Sequence, residues 1–346
     1  MDHFRAFRAP YPRDARAVGG HALSYSAGVR ALLVVNPQAT TTTAGGRDVL
    51  AHALASSVKL DVVETEYRGH AADAAGQAVL DGYDMVVAHG GDGTVNEVVN
   101  GMLGAGQAGS LPMLGVVPGG SANVFAGALG LPRDPVEATY RLLQAIEHGT
   151  SRRVGLGKVA SSGPSSPTVA HSDRWFTFNA GVGWDADVVA NVEHQRAKGR
   201  EASPALYART ALASYVGQRR HTPSLTISIP GEEPIADMRM AFVSNTDPWT
   251  YLGGKAIRLN PSTTFDNGLG LFALSNLGLP TVLRYVAHVL VRDGNPKGGN
   301  LLRRDDVEFV RVTSAEPVNL QVDGDLLGDC TEVEFTAVGE ALTVAV

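Results

Sequence analysis

Gly90-Gly91-Asp92-Gly93-Thr94-Val95-Asn96-Glu97 follows the apolar run Asp84–Ala88 and opens a stretch of helical length, Thr94–Gly104. A strand that ends in glycines and turns at once into a helix gathers backbone N–H groups and the positive end of a helix dipole at one point. That arrangement suits a phosphate. Glycine at Gly90, Gly91 and Gly93 lets the backbone approach such a ligand closely. Asp92 adds a carboxylate able to hold Mg²⁺ or a water of its shell. Thr94 is placed to cap the helix and to touch phosphate. An Asp-Gly turn alone is common; its position between a buried strand and a helix is what gives this one a chemical reading.

The pattern repeats on both sides. Short apolar runs at Arg30–Val35, Val58–Thr65, Asp84–Ala88 and Met113–Val117 read as buried parallel strands. Between them lie stretches of helical length, Gly45–Ser57, Gly69–Gly82 and Thr94–Gly104, and Ser121–Leu129 and Pro135–His148 continue as helices. Strand and helix in alternation predict an α/β sheet with helices on its faces. A second glycine turn, Pro118-Gly119-Gly120-Ser121-Ala122-Asn123, follows the next strand, and Asn36-Pro37-Gln38-Ala39-Thr40 ends the first. All three leave the same edge of the sheet, where open α/β sheets bind ligands. Neither a P-loop signature nor a Gly-x-Gly-x-x-Gly after the first strand is present, which argues against a dehydrogenase.

Beyond Thr150 the pattern changes to β segments, near 151–160, 175–182, 223–229, 235–245, 254–259, 269–275, 306–313 and 317–322. Helices interrupt them near 184–195, 203–217 and 280–292, and Ser161–Asp173 reads as an exposed loop. The expected organisation is an arm over 1–29, an α/β unit over 30–150, a β-rich unit over 151–337, and a last strand within 338–346 that returns to the first unit. The 346 residues suit two cores of ordinary size, and 44% hydrophobic with 18% charged residues is globular. A net charge of −6 disfavours a nucleic-acid binder. The lone Cys330 allows no internal disulfide and no thiolate zinc cluster, which suits a reducing compartment.

These segments resemble the diacylglycerol kinase and sphingosine kinase catalytic family, above all its soluble bacterial lipid kinases. The carriers are VVNP (34–37), GGDGTVNEVVNG (90–101), LGVVPGGSANVFAGALGLP (114–132), FTFNAGVGWDADVV (176–189), GLGLFAL (268–274) and QVDGDLLG (321–328). The resemblance implies an NAD-kinase-like α/β domain, a second β-sandwich domain, and an active site in the cleft between them. It implies Mg²⁺ and ATP, with ATP contacts at Asn36, Pro37, Thr40, Thr65, Gly90, Gly91, Asp92, Gly93, Thr94, Asn96, Gly120, Ser121 and Asn123. In the family an Asp-Gly-Glu element supplies the general base; here it reads Asp323-Gly324-Asp325, so Asp325 is the first candidate and Asp323 the second. From spacing alone the same triplet is a hairpin turn. A structural Mg²⁺ is implied around Thr264, Asn267 and Leu269.

This chain departs from the family pattern in four places. Asp325 is one methylene shorter than glutamate. Gln-Ala-Thr (38–40) stands where Ser-Gly is frequent, Val124 replaces an acid, and Asn267 replaces a second aspartate. The expected reaction is phosphorylation of a lipid hydroxyl, diacylglycerol first, with a sphingoid base or other lipid as the alternative acceptor. NAD kinase and a nucleotide-binding protein without catalysis are the remaining readings. The partner is then a membrane surface, touched peripherally from the cytoplasm, by the Arg- and aromatic-containing arm or by the basic stretch His194–His221. Trp249 and Tyr251 are candidates for an acyl entrance or for core packing. Exposed strand edges leave room for a homodimer.

Overall fold

The computed structural model describes residues 28–106, 110–163, 173–183, 186, 224–252, 255–291 and 295–346. The arm, the expected helices at 184–195 and 203–217, and the basic stretch 194–221 lie outside the described residues or almost wholly so. The first unit runs β1 (Arg30–Val35), α1 (Ala44–Ala55), β2 (Lys59–Glu64), α2 (His70–Leu80), β3 (Met85–Gly90), α3 (Asp92–Ala105), β4 (Met113–Pro118), α4 (Val124–Ala128) and α5 (Pro135–His148). Then follow β5 (Ser151–Ser162), β6 (Arg174–Phe176), β7 (Asn179–Gly183), β8 (Leu225–Ser228), β9 (Ile235–Met238), β10 (Met240–Ser244), β11 (Thr250–Leu252), β12 (Lys255–Ile257) and β13 (Leu269–Leu274). The chain closes with α6 (Leu279–Val291), β14 (Leu301–Val307), β15 (Phe309–Val322) and β16 (Asp325–Ala345).

The apolar runs are strands because both faces of their sheet are covered. In β1, Leu32 and Val34 face a core built with α2, α3 and α4, while Ala31, Leu33 and Val35 face a second core with α1 and α5. β3 divides in the same way, Val86 and Ala88 against Met85 and Val87. The sheet order β2-β1-β3-β4 is parallel throughout. Helix ends follow local chemistry: Asp134 caps α5 by accepting from Val136 and Glu137, Pro135 follows it, and Gly149 ends the helix at φ +66°.

The β-rich part wraps a core containing Phe176, Leu225, Ile227, Leu271, Val310, Val322 and Phe335, and a smaller one around Phe242, Phe272 and Tyr285 lies beside α6. Its strands β14-β13-β10-β7-β15 join the first sheet through β16. β16 pairs β15 and β5 and then meets β4 in parallel at Val344↔Leu114. The expected short last strand is therefore the end of a strand of 21 residues. It bends at a register shift between Val338 and Leu342, where Glu340 has φ +49°. Two expected segments are split: 175–182 breaks at Thr177–Phe178, and 235–245 breaks at Arg239. The helix expected from Ser121 begins at Val124, after Asn123 at φ +49°. Among the described residues no helix is long and apolar enough to cross a membrane.

α2 and α3 touch at Gly76 and Gly101. A Cβ on Gly101 would lie 2.0 Å from the carbonyl oxygen of Ala72, whereas one on Gly104 would meet nothing within 4 Å. Gly101→Ala is expected to cost about 1–3 kcal/mol or more in a urea unfolding series, and Gly104→Ala to gain up to about 1 kcal/mol. Equal effects would refute the close α2–α3 contact.

Candidate active site

Each polar residue in the first two turns of α3 holds a different neighbour. The N-cap of α3 is Gly91, which offers no side chain to the helix amides. Asp92 turns away from them: its Oδ1 accepts from Phe125 N at 3.2 Å, and the amides of Asn123 and Val124 also bond the carboxylate. It thus caps α4, whose own N-cap residue, Asn123, makes no side-chain bond to the helix amides. Glu97 does the same for α2, accepting from Gly69 N at 3.0 Å and Ala71 N at 3.3 Å. Thr94 is buried and its Oγ1 accepts from Asn36 Nδ2 at 3.1 Å. It is neither a helix cap nor an exposed phosphate contact, because its side chain fills the space beside Gly90.

The glycines of the two turns fit one another. A Cβ on Gly120 would lie 2.6 Å from Gly91 Cα, and one on Gly119 would lie 3.1 Å from Gly90 Cα. Gly93 differs: it is exposed, and a Cβ there would meet nothing within 4 Å. The open ground of the turn is therefore Gly93, with the uncapped amides of α3 beside it. Asn123 closes the second turn on itself, its Nδ2 donating to Gly120 O and its Oδ1 accepting from Gly120 N, at 2.7 and 2.9 Å. Ser121 is exposed at the tip. The segment after β1 is tied in as well. Thr41 N donates to Gly119 O, Gln38 N to Asn36 Oδ1, and Thr65 N to Val35 O. Pro37 and Thr40 are exposed, and Thr65 is partly exposed. His89 lies beneath all three turns, bonded to Val117 O at 3.1 Å and to Thr42 Oγ1 at 3.3 Å. Burial pushes its imidazole below the ordinary value, which suits a neutral ring donating from Nδ1 and accepting from the Thr42 hydroxyl.

Asp323-Gly324 is the two-residue turn joining β15 to β16, with φ +47° and +85° and Val322 opposite Asp325. The turn lies against α3. Asp323 is 8% exposed, and its two oxygens accept from five groups: Thr177 N and Oγ1 (both 2.7 Å), Phe178 N and Asn179 N (both 3.0 Å), and Asn96 Nδ2 (2.8 Å). Burial raises its carboxyl and these donors oppose the rise. A carboxylate so enclosed has no face left for a substrate proton, so the catalytic role expected of Asp323 becomes a structural one. Asp325 is different. Its side chain is 27% exposed, with Arg68 Nη2 at 3.2 Å from one oxygen and Arg174 Nη2 at 3.5 Å from the other.

Of the residues expected to hold metal, Asp92 directs its Oδ1 at the α4 amides. At the expected structural site, Thr264 Oγ1 donates to Asn267 Oδ1 at 3.2 Å, Leu269 is buried in the ladder opposite Val307, and the adjacent Asp266 pairs with Arg152. An amide whose oxygen is already engaged does not fit a resident metal, and among the described residues no group of three or more His, Cys, Asp or Glu is arranged to hold one. Trp249 packs edge-on to Phe242, and Tyr251 lies on Gly127 under Arg133. Sequence reasoning missed Arg68, Arg174, Asn100 and Glu97. Arg174 and Arg68 carry no local signal, being single basic residues near strand ends.

Comparison with known proteins gives a consistent picture. Residues 30–159 match the family described as "Diacylglycerol kinase catalytic domain". A diacylglycerol kinase of Bacillus subtilis (strain 168) is 40% identical over 95 residues, 28% of this chain and 29% of that protein. The match thus spans under a third of that relative's length. Among solved structures, a diacylglycerol kinase from Bacillus anthracis str. Sterne has a TM-score of 0.65 at 18% identity, covering 92% of this chain and 96% of its own. Yeast NADH kinase complexed with NADH has a TM-score of 0.52 at 12% identity, covering 91% and 82%. Both structural likenesses concern the fold: an α/β unit of the NAD kinase kind with an added β-rich part.

Burial holds the partly exposed Asp92 carboxyl up at about 6, from an ordinary 3.8, against the pull of the α4 amides. The folded protein then binds that proton more tightly than the unfolded chain. The stability that depends on Asp92 is full below about pH 4 and is lost as the pH rises to about 6. Asp92→Asn keeps an acceptor and removes the charge. It is expected to be more stable than the unaltered protein at about pH 7.5 by about 1–2 kcal/mol, with the gap closing near pH 4. Urea titrations at both pH values check this; a gap independent of pH would contradict it.

Proposed function

We propose, from the premise that residues 30–159 belong to the diacylglycerol kinase catalytic domain family, that this protein transfers the terminal phosphoryl group of ATP to a hydroxyl of a membrane lipid. Diacylglycerol, giving phosphatidic acid, is the leading acceptor. The observation that carries the reading is the bond of 2.8 Å between Asn96 and Asp323, which brings the acidic hairpin against the helix of the glycine turn. An acid on one side of a groove and uncapped helix amides on the other are what an in-line transfer needs.

The nucleotide enters as its magnesium complex, with the metal belonging to the substrate. Its phosphates lie against Gly93 and the first-turn amides of α3, with Gly120 and Ser121 on the second side and Asn36–Thr40 and Thr65 at the rim. Asp325 accepts the proton of the lipid hydroxyl. The lipid oxygen forms its bond to the terminal phosphorus as the bond to the bridging oxygen breaks, and the electron pair leaves with ADP. Asp323 and Asn96 keep the hairpin in place and take no proton. The acyl chains stay in the bilayer or at its cytoplasmic surface, which the protein visits peripherally.

Incubation with Mg²⁺, labelled ATP and a panel of lipids in mixed micelles identifies the acceptor. A labelled sphingoid base or a labelled NAD would replace the diacylglycerol reading, and ATP binding with no labelled product would leave a nucleotide sensor. Asp325→Asn is expected to lower turnover about 10²- to 10⁴-fold with nucleotide affinity little changed; near-normal turnover would remove Asp325 from the role. Gly93→Ala separates binding from folding. The added methyl meets no protein atom within 4 Å, so its melting temperature should hold or rise, while ATP affinity falls about tenfold or more. Unchanged affinity would show that the phosphates lie elsewhere.

A further inference from the structure

Between α3 and the acidic hairpin lies a cation that its neighbours do not fully engage. Arg174 opens β6, and β6 is fastened to α3: Asn96 and Asn100 both donate to Trp175 O at 3.0 Å, and Trp175 N donates to Asn100 Oδ1 at 2.9 Å. The backbone that carries the guanidinium is therefore fastened to the helix of the glycine turn. Its Nη2 donates to Asn96 Oδ1 at 3.0 Å and lies 3.5 Å from Asp325. Its Nε is buried and has no acceptor. Native proteins rarely leave a buried N–H unmatched. Nε and Nη2 form one edge of the guanidinium, the edge that grips two oxygens of a carboxylate or phosphoryl group side by side. Here Nη2 is shared between Asn96 and a longer contact to Asp325, and Nε has nothing.

Asp325 shows the complementary feature. Arg68 lies on one of its oxygens and Arg174 on the other. The two arginines compete with a lipid hydroxyl for the acid, and a polyphosphate is an anion able to draw one of them away.

We propose that Arg174 is a catalytic residue. With ATP bound, Nη2 leaves Asp325 and the Nε–Nη2 edge takes two oxygens of the terminal phosphoryl group. The exchange bares Asp325 for the hydroxyl proton and supplies positive charge where the transfer concentrates negative charge. Nothing is consumed at Arg174; it changes partners and returns when the product leaves. The inference rests on the kinase reading above and deepens it: the acid becomes accessible once the triphosphate has arrived.

The test compares ATP with ADP, which differ in the group Arg174 would hold. Calorimetric titrations of the unaltered protein, Arg174→Ala and Arg174→Lys should show ATP affinity reduced about tenfold or more in the alanine variant, with ADP affinity within about twofold. Turnover should fall about 10²-fold or more, and added guanidinium ion should restore part of it to Arg174→Ala and none to Asp325→Asn. Arg174→Lys keeps the charge and loses the paired donors, so its turnover should also fall at least about tenfold; it decides the matter if the alanine variant does not fold. An unchanged ATP-to-ADP ratio with no rescue, or a lysine variant as fast as the unaltered protein, overturns the proposal. Failure of the unaltered protein to bind ATP sinks the kinase reading, and this inference with it.

Discussion

Asn96 on α3 donates to Asp323 at the β15–β16 turn, 2.8 Å away and 227 residues later in the chain. Much of the site's geometry depends on that bond. Asp323 sits in a left-handed conformation and accepts from three consecutive backbone amides, Thr177 to Asn179, so it closes the break between β6 and β7. Asn96 at the same time grips the carbonyl of Trp175. Remove either partner and the end of β15, the break in the β-rich sheet and the second turn of α3 lose a common anchor. The partners are buried, so a donor or acceptor left behind would have no water to turn to.

The glycine turn serves packing and chemistry through different residues. Gly90, Gly91, Gly119 and Gly120 let two turns lie backbone to backbone, which explains them without any ligand. Gly93 has no such explanation. Likewise Asp92, which looks catalytic in the motif, and Glu97, which ends it, cap the short α4 and the glycine-started α2. Acids at a distance complete helices whose own N-cap residues supply no side-chain bond, and the helix dipoles favour them there.

The first half was legible in sequence because its strands are covered on both faces and its helices are punctuated by Thr43, Asp134 and Gly149. The β-rich half was legible in its segments and less so in its joins. β16 was read as a short terminal strand although Glu332-Val333-Glu334-Phe335 alternates as a half-buried strand does, with Val333 and Phe335 in the core; Asp325-Leu326-Leu327-Gly328-Asp329 before it and Gly339-Glu340 after it break the pattern. The hairpin reading of Asp323-Gly324-Asp325 matches the turn between β15 and β16, yet no local rule tells which acid is enclosed. That depends on Thr177–Asn179, far off in the chain. Arg68 and Arg174 were invisible for the same reason, since their meaning comes from a partner that only folding supplies.

The long terminal strand carries a consequence for the order of assembly. β4 has its outer neighbour in β16, at Val344, so a growing chain that has completed every helix of the first unit still exposes a bare sheet margin. That margin is apolar and able to recruit a strand from another molecule. Until the last residues dock, nascent protein is most vulnerable to wrong association along this seam. A shortened chain lacking them would carry the same open seam permanently.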